Sequence, residues 1–585
     1  MGSSSSKRKP SSGTPVDAPD AGGNQSINDT AQQEGSGKKL SQKSPDKAQA
    51  QKSSDKDDSP VEAAVCKVND LKDGEMREVE VGQGKALLIK QLGEYSAIGH
   101  KCTHYGAPLI KGVLCNGRVR CPWHGACFNA KSGDIEDFPG LDSVAKFEVR
   151  VDGDDVIVKS TKKALESHKR IKDMACRSPD VDNIILIIGG GGAAATCAET
   201  LRQEGFKGHV IIATKENHLP YDRPKLSKAL TSSASELALR KSDFYSVYDI
   251  DVQTGMEATA VDTLLNCVTF KNGQSISYNT LLVATGGSPR ILDIPGNNLK
   301  NVCVLRSPED ANYIAEQGKG KNVVIVGTSF IGMEMAAYFA GKATSVSVIG
   351  RSSAPYIASL GETIGKALQK LCEDKGVKFH LNSDPERFNG SDDGQLKEVV
   401  LKGGETLVAD LCIMGVGVKP TTEFLKDSGI TLNARHTVVV DKYLRTNKPN
   451  VFAAGDIVQV PLYMMGDLEV NIGHWQVASG HGRIAALNIM NQEVELDSVP
   501  YFWTMLFGKS IRYAGYNAGY EDVIIKGNPE EQKFVAYYIK NDKVVAVASM
   551  NSDPVVSKFA EYVASGRELT KSDIKSDPEA WQNRL

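Results

Sequence analysis

Twice in this chain a short aliphatic run ends in a glycine turn and passes into a helix-forming stretch, and nothing else in the sequence narrows the fold so far. The first copy is Asn-Ile-Ile-Leu-Ile-Ile at 183–188, then Gly189-Gly-Gly191-Gly192-Ala193-Ala194 and a helical stretch through Leu201. The second is Asn322–Val326, then Gly327-Thr-Ser329-Phe-Ile-Gly332-Met-Glu334. Strand, glycine turn and helix together open a βαβ unit whose turn cradles a pyrophosphate. Gly189 permits the tight turn, Gly191 lets the backbone approach the phosphates, and Ala194 allows the helix to pack closely on its strand. The helix N-terminus then offers amide donors and the positive end of its dipole. Ser329 stands where the second copy should carry its middle glycine, which predicts a less intimate approach there. Two such turns about 138 residues apart predict two nucleotides on two modules.

Upstream, residues 62–160 alternate apolar and polar positions in short runs, as in Glu75–Val81, 86–89 and 145–151, broken by glycine turns. That pattern reads as an all-β domain. Inside it lie Cys102-Thr-His104 and Cys121-Pro-Trp-His124, with sixteen residues between them. Two Cys and two His can hold a zinc ion or a [2Fe–2S] cluster. Zinc fingers and ribbons favour C-x2-C and H-x3–5-H spacing, which C-x-H followed by C-x2-H fits poorly. The pair of loops closely resembles the Rieske motif, including Pro122 and Gly125 around the second pair. The resemblance implies that the thiolates of Cys102 and Cys121 hold one iron and the imidazoles of His104 and His124 the other. Cys115 and Cys127 match no ligand position and read as small core residues.

Composition excludes several classes. The 585 residues allow three or four domains, and a formal charge of -3 gives no field suited to nucleic acid. Eleven cysteines are too scattered for a disulfide framework, so the expected compartment is reducing. No apolar run is long enough to span a bilayer and no hydrophobic signal segment opens the chain. Residues 1–61 contain no Phe, Trp or Tyr and read as a disordered tail. The start Met-Gly2-Ser-Ser-Ser-Ser6 fits N-myristoylation, with Lys7, Arg8 and Lys9 as a second, basic signal for an anionic leaflet. A plain solvated tail is the competing reading. Asp17, Asp20 and Asp29 argue against a mitochondrial presequence.

Three further segments bear on the nucleotides: a strand at 278–284 running through Ala284 into Thr285-Gly286-Gly287, Val451–Ala453 followed by Ala-Gly455-Asp456, and Gly415-Val-Gly417. With these, residues 183–580 resemble the FAD-dependent pyridine-nucleotide oxidoreductases that carry two dinucleotide domains. The resemblance implies that Asp456 binds the flavin ribityl chain and that the stretch at 219–228, which contains Arg223 and Lys228, lies against the flavin. It also implies that Lys228 sits near flavin N5, paired with Glu334, where an ammonium would stabilise a reduced, anionic flavin. A purely structural ion pair is the competing reading. His474 and Trp475, in Gly-His-Trp-Gln, correspond to residues beside the isoalloxazine, and Trp475 is a candidate for the electron route; interface packing is its alternative. The family's ribose-binding Glu aligns with Lys215, leaving Glu216 next to it as the candidate. In the second module, Gly350-Arg351 stands where NADH enzymes keep an acid, so the nucleotide is NADPH or NADH with the lean toward NADPH.

Disulfide reductases of this family carry C-x4-C beside the flavin. Between Gly189 and Gly255 the only cysteine is Cys197, which reads as helix packing. The stretch at 219–228 instead resembles the oxygenase-coupled ferredoxin reductases and apoptosis-inducing factor, and the fused Rieske domain resembles the Rieske-bearing apoptosis-inducing-factor-like branch. The expected architecture is multidomain: tail 1–61, an all-β Rieske domain 62–160 and a linker 161–182. An α/β Rossmann-like FAD domain follows at 183–305 and 440–499, with an NAD(P)H domain at 306–439 and a C-terminal α+β domain at 500–585. By the same resemblance, that last domain packs against the flavin domain and helps form the partner surface, with no chemistry of its own. The expected activity is FAD-dependent NAD(P)H:acceptor oxidoreduction, with electrons passing to the internal cluster and on to an unidentified acceptor. The alternative is a pro-apoptotic or redox-signalling protein in which the same cofactors are regulatory. A cytoplasmic or mitochondrion-associated location, attached to membranes through Gly2, is expected; oligomeric state is not legible.

High-potential Rieske domains brace their loops with a disulfide at the positions of Ala107 and Trp123, and place Ser and Tyr hydroxyls where this chain has Ala126 and Phe128. Fewer donors stabilise the reduced cluster less. An EPR-monitored titration is therefore expected to give a midpoint at or below roughly -150 mV, the bottom of the Rieske range.

Overall fold

The computed structural model describes residues 58–585. The tail, the acylation of Gly2 and the basic cluster after it lie outside the described residues. Pro60–Lys67 opens a six-stranded antiparallel sheet with Asp155–Thr161, Lys146–Asp152, Glu94–Gly99, Gly84–Gln91 and Glu75–Val81 as successive neighbours. A second, four-stranded sheet runs Val113–Cys115, Arg118–Arg120, Cys127–Asn129 and Ile135–Asp137. Alternation decides their faces: Leu87, Ile89 and Ile98 meet Val119 and Phe128 in one apolar layer.

The two cluster loops share one backbone device. The Cys102 amide donates to Ala107 O and the Cys121 amide to Ala126 O, at 2.8 and 2.7 Å. Each loop turns through a glycine at positive φ, Gly106 and Gly125. A side chain at Gly125 would strike the Tyr501 ring at 2.7 Å, so that glycine also permits close approach of the C-terminal domain.

Ile184–Ile188 sits centrally in a five-stranded parallel sheet, ordered Ile250–Gln253, His209–Ala213, Ile184–Ile188, Thr280–Val283 and Val451–Ala453. The last strand comes from beyond the second module, so the chain leaves this domain and returns. The second module is also parallel, ordered Val302–Cys303, Leu411–Met414, Asn322–Val326, Ser345–Gly350 and Val377–Leu381. Strands buried on both faces explain the unbroken aliphatic runs. The C-terminal sheet is antiparallel, Tyr501–Leu506, Lys509–Gly515, Lys543–Met550, Lys533–Lys540 and Asp522–Asn528, backed by the helix Val555–Ala564. Among the described residues no helix is long and apolar enough to cross a membrane.

The expected linker is more structured than its polarity suggests. Its helix Lys162–Glu166 buries Leu165 against the first sheet, and Arg170 donates to the carbonyls of Val144 and Ser132 and pairs with Asp134. Two buried ion clusters then join the β domain to the rest. Arg120, 1% exposed, pairs with Asp137 at 3.0 Å and with Glu561 of the C-terminal helix, while Gln476 donates to Asp137. Arg240 joins Asp142 at 2.6 Å to Glu199 at 2.9 Å. Cys127, expected as plain packing, belongs to the first cluster, accepting from Arg118 Nε at 3.2 Å and donating to Glu561.

Arg120 and Arg118 hold the Glu561 carboxyl below its usual range despite the opposing effect of burial. Removing one partner of a buried pair strands the other charge. Glu561→Gln is expected to lower stability by about 3 kcal/mol, read by urea denaturation at neutral pH.

Candidate active site and metal centre

The first glycine turn follows from its close neighbours. Gly189 has φ +123°, and a Cβ there would lie 2.2 Å from Ala284 O, so only glycine lets the turn pass that strand end. Above Gly191 there is open space, where a phosphate can meet backbone. The helix Gly192–Gln203 starts there without a side-chain cap, leaving its first amides for an anion. Ala194 is fully buried and serves the packing expected of it. The turn opens into a cavity of about 760 Å³ lined by residues 189–193, Glu216, Arg223, Ala284, Thr285, Gly286, Gly455, Asp456 and Trp475. Its length of contact, from glycine turn to Asp456, fits an extended dinucleotide such as FAD. Burial raises the Asp456 carboxyl, opposed by Arg306 and Arg223. The Gly455 amide donates to His481 Nδ1 at 3.2 Å, and burial lowers His481 to about 4, keeping it neutral. Glu216 accepts from Arg223 at 2.9 Å, and Arg223 also donates to Arg306 O at 2.6 Å. Arg306 lines this cavity and the next, its pKa lowered by burial to about 10. No local motif marked it in the sequence.

In the second module a Cβ on Gly327 would lie 2.3 Å from Gly415 O, so this turn, like the first, is closed by a neighbouring strand end. A Cβ on Gly332 would meet Gly327 O at 2.0 Å. Ser329 has φ -98° and ψ -166°, ordinary extended backbone, which explains why a side chain is tolerated where glycine was expected. Ser329, Glu334, Gly415 and Gly417 line a second cavity of about 350 Å³, shared with Lys228, His474, Trp475, Phe502 and Trp503. Arg351 follows the strand Ser345–Gly350, is largely exposed and pairs with Asp384 at 2.5 Å.

Lys228 donates to Glu334 at 2.9 Å, uniting the two residues that sequence placed 106 positions apart. Glu334 is buried and fully engaged: Ser227 also donates to Oε2, and Thr504 donates to Oε1 at 2.8 Å. His474, at the start of the helix Trp475–Ile489, is lowered by burial to about 4, and its Nδ1 has no hydrogen-bond partner. A neutral imidazole with one nitrogen free, facing the second cavity, suits contact with a bound ring system.

The cluster loops bring all four expected ligands together. Cys102 and Cys121 are both buried, and the neighbouring Cys121 thiol together with burial raises Cys102. The backbone amides of His104 and Tyr105 oppose that rise at Cys102, and with Cys102 those of Trp123 and His124 lower Cys121 against burial. The His104 and His124 rings lie 4.9 Å apart. Burial lowers them to about 3 and about 2, so both are the neutral imidazoles a metal requires. The buried Nδ1 of His104 has no hydrogen-bond partner, which a metal bond would satisfy. No three His, Cys, Asp or Glu side chains among the described residues converge on one point fit for a single ion. A sulfur pair beside an imidazole pair suits the two irons of a Rieske cluster, one iron to each pair. Ala126 and Phe128 are fully buried and bring no hydroxyl to the sulfurs.

Trp475, expected beside the isoalloxazine, lines both cavities, and a second tryptophan stands at the imidazoles. Trp475 stands over the first glycine turn, 3.3 Å from where a Gly192 Cβ would be. The ring between the imidazoles and the second cavity is Trp503, whose centroid is 4.6 Å from His124 and 5.6 Å from His104. Trp503 and Thr504 belong to the domain expected to supply no chemistry, and their place at the site comes from neighbours far away in sequence.

The chain matches three family descriptions: Rieske [2Fe-2S] domain at 62–148, pyridine nucleotide-disulphide oxidoreductase at 184–482, and reductase C-terminal at 501–583. It is 51% identical over 520 residues to apoptosis-inducing factor 3 of Homo sapiens, covering 88% of this chain and 86% of that one. It is 30% identical over 373 residues to a benzene 1,2-dioxygenase system ferredoxin–NAD(+) reductase subunit of Pseudomonas putida, covering 63% and 90%. Among solved structures, the covalent putidaredoxin reductase–putidaredoxin complex matches with TM-score 0.63 and 25% identity over 66% of this chain and 94% of that one.

Thr504→Val keeps the shape and removes one donor from the buried Glu334 carboxylate. Urea denaturation is expected to show a loss of about 1–3 kcal/mol, the cost of one unsatisfied buried acceptor.

Proposed function

Since the chain belongs to the pyridine nucleotide-disulphide oxidoreductase family and is a FAD-dependent NAD(P)H oxidoreductase with a Rieske domain on the same polypeptide, we propose that its own Rieske cluster is the first acceptor of the flavin's electrons. One contact carries this reading: both ligating imidazoles pack on Trp503, and Trp503 lines the cavity that Lys228, Glu334 and His474 also line. FAD, when bound, accepts two electrons from nicotinamide as hydride and releases them singly, which suits a [2Fe–2S] acceptor that takes one at a time.

The residues support that division of labour. Lys228 keeps an ammonium at the second cavity because Glu334, Ser227 and Pro224 O hold its nitrogen there. A fixed cation at a site where negative charge develops lowers its cost without reorganisation. Neutral His474 adds no competing charge. Phe502 packs on Phe330 and His474 and helps exclude water between the modules. In the solved complex a reductase is joined to a separate putidaredoxin; here the β domain, latched by Arg120 and Arg240, takes up the corresponding office within one chain. We also read NADPH as the preferred donor. Arg351 is exposed and paired with Asp384, which also pairs with Lys402. Asp384 is thereby engaged rather than left to a ribose hydroxyl at that strand end.

The test is anaerobic addition of NADPH or NADH to the holoprotein, following flavin bleaching and the reduced-Rieske EPR signal together. The signal is expected to appear with both nucleotides, faster at low concentration with NADPH. Trp503→Leu is expected to slow its appearance about tenfold, equivalent to about 1.4 kcal/mol in barrier. Complete bleaching with a cluster that only dithionite can reduce would refute the proposal and favour a regulatory role.

A further inference from the structure

The two ligating imidazoles do not share one environment. His124 is buried, with its ring against Trp503. His104 is half-buried, and one of its faces is covered by Tyr105, the ring centroids 3.7 Å and the planes 24° apart. Tyr105 is itself 41% exposed, and Gly106 beside it is exposed as well. Among the described residues, Tyr105 is the one aromatic in contact with a ligating imidazole that faces water. Its ring is held in place: the hydroxyl donates to Asp222 at 3.3 Å, and Lys225 Nζ stands 5.6 Å from the ring centroid.

The charges around this ring are sorted by depth. Lys225 pairs with Asp222, whose side chains are 37% and 12% exposed. Lys169 pairs with Asp142, at 61% and 9%. Lys169 belongs to the same rim because Thr103, next to His104, donates to Asp142 O at 2.7 Å. In both pairs the carboxylate lies inward and the ammonium outward. The rim therefore presents positive charge to solvent although each pair is neutral, and such a rim steers carboxylate-bearing surfaces toward it.

Building on the reading that the cluster is filled from the Trp503 side, we infer that electrons leave through His104 and Tyr105 to a one-electron acceptor protein that docks an acidic face on the Lys169–Lys225 rim. One electron passes from the reduced cluster to the oxidised acceptor, with no bond made or broken and no proton moved. Tyr105 also meets His124 edge-on at 5.4 Å, but its stacked face is on His104, so the acceptor docks on the Tyr105 side and needs no access to the flavin.

The full-length holoprotein, reduced anaerobically with dithionite so that the result does not depend on nicotinamide oxidation, is mixed with the acidic haem domain of cytochrome b5 or with basic cytochrome c. Haem reduction is followed at several salt concentrations. In parallel, carbodiimide coupling of the oxidised proteins, which joins amines to carboxylates, is read by peptide mass spectrometry. Reduction of cytochrome b5 is expected to slow as salt rises, and Lys169→Glu to slow it about fivefold while cluster reduction by NAD(P)H keeps its rate. Cross-links are expected at Lys169 and Lys225. The inference is overturned if Lys169→Glu and Lys225→Gln each leave that rate within about twofold of the parent, if cross-links map elsewhere, or if cytochrome c is the partner whose reaction salt weakens. Failure of NAD(P)H to reduce the cluster would count against internal transfer alone, because the exit is measured on dithionite-reduced protein.

Discussion

One nearly solvent-free guanidinium holds the arrangement together. Arg120 donates to Gly125 O in its own cluster loop at 2.8 Å, to Asp137 at 3.0 Å, and to Glu561 on the C-terminal helix. Taking these charges out of water is costly, and only the paired geometry offsets that cost. Other docked orientations of the β domain would leave a buried charge alone, so the charges select one pose more than they add stability. In that pose Gly125 meets Tyr501, Ser557 donates to Cys121 O, and Arg512 donates to Trp123 O. The loop that carries two of the four ligands is thus gripped from the C-terminal domain on several sides. The Arg240 cluster ties the β domain to the first dinucleotide module as well.

The strand Tyr501–Leu506 turns that docking into a connection. Successive side chains of a strand point to opposite faces. Tyr501 and Trp503 point to the β domain, against Gly125 and the ligating imidazoles. Phe502 and Thr504 point to the nucleotide modules, against Phe330 and Glu334. Four consecutive residues thus touch both the metal loops and the Lys228–Glu334 pair. A displacement of this strand would move both sites at once, a coupling that its plain sequence did not advertise.

Much of the fold was legible because its signals are local. The glycine turns, the aliphatic strands before them and the two Cys/His loops each lie within about ten residues, and backbone sterics act at that range. Ser329 was legible only in part: the motif asked for glycine, whereas the backbone there is extended and accepts a side chain. Arg306, Trp503 and Thr504 were not legible, since each gains its role from a neighbour far away in sequence. Trp475 shows the same limit from the other side. Its motif put it beside the isoalloxazine, whereas the ring that packs on both imidazoles comes from the next domain.

What sequence alone determined is the set of local cradles: two nucleotide turns and two metal loops, each dictated by glycines and ligand spacing that few other backbones could use. Tertiary structure decided how these cradles face one another. That choice rests on buried ion pairs between residues hundreds of positions apart, such as Arg120 and Glu561, and on the face each strand turns to its neighbour. Both depend on register and docking, which carry no short-range signature in the chain.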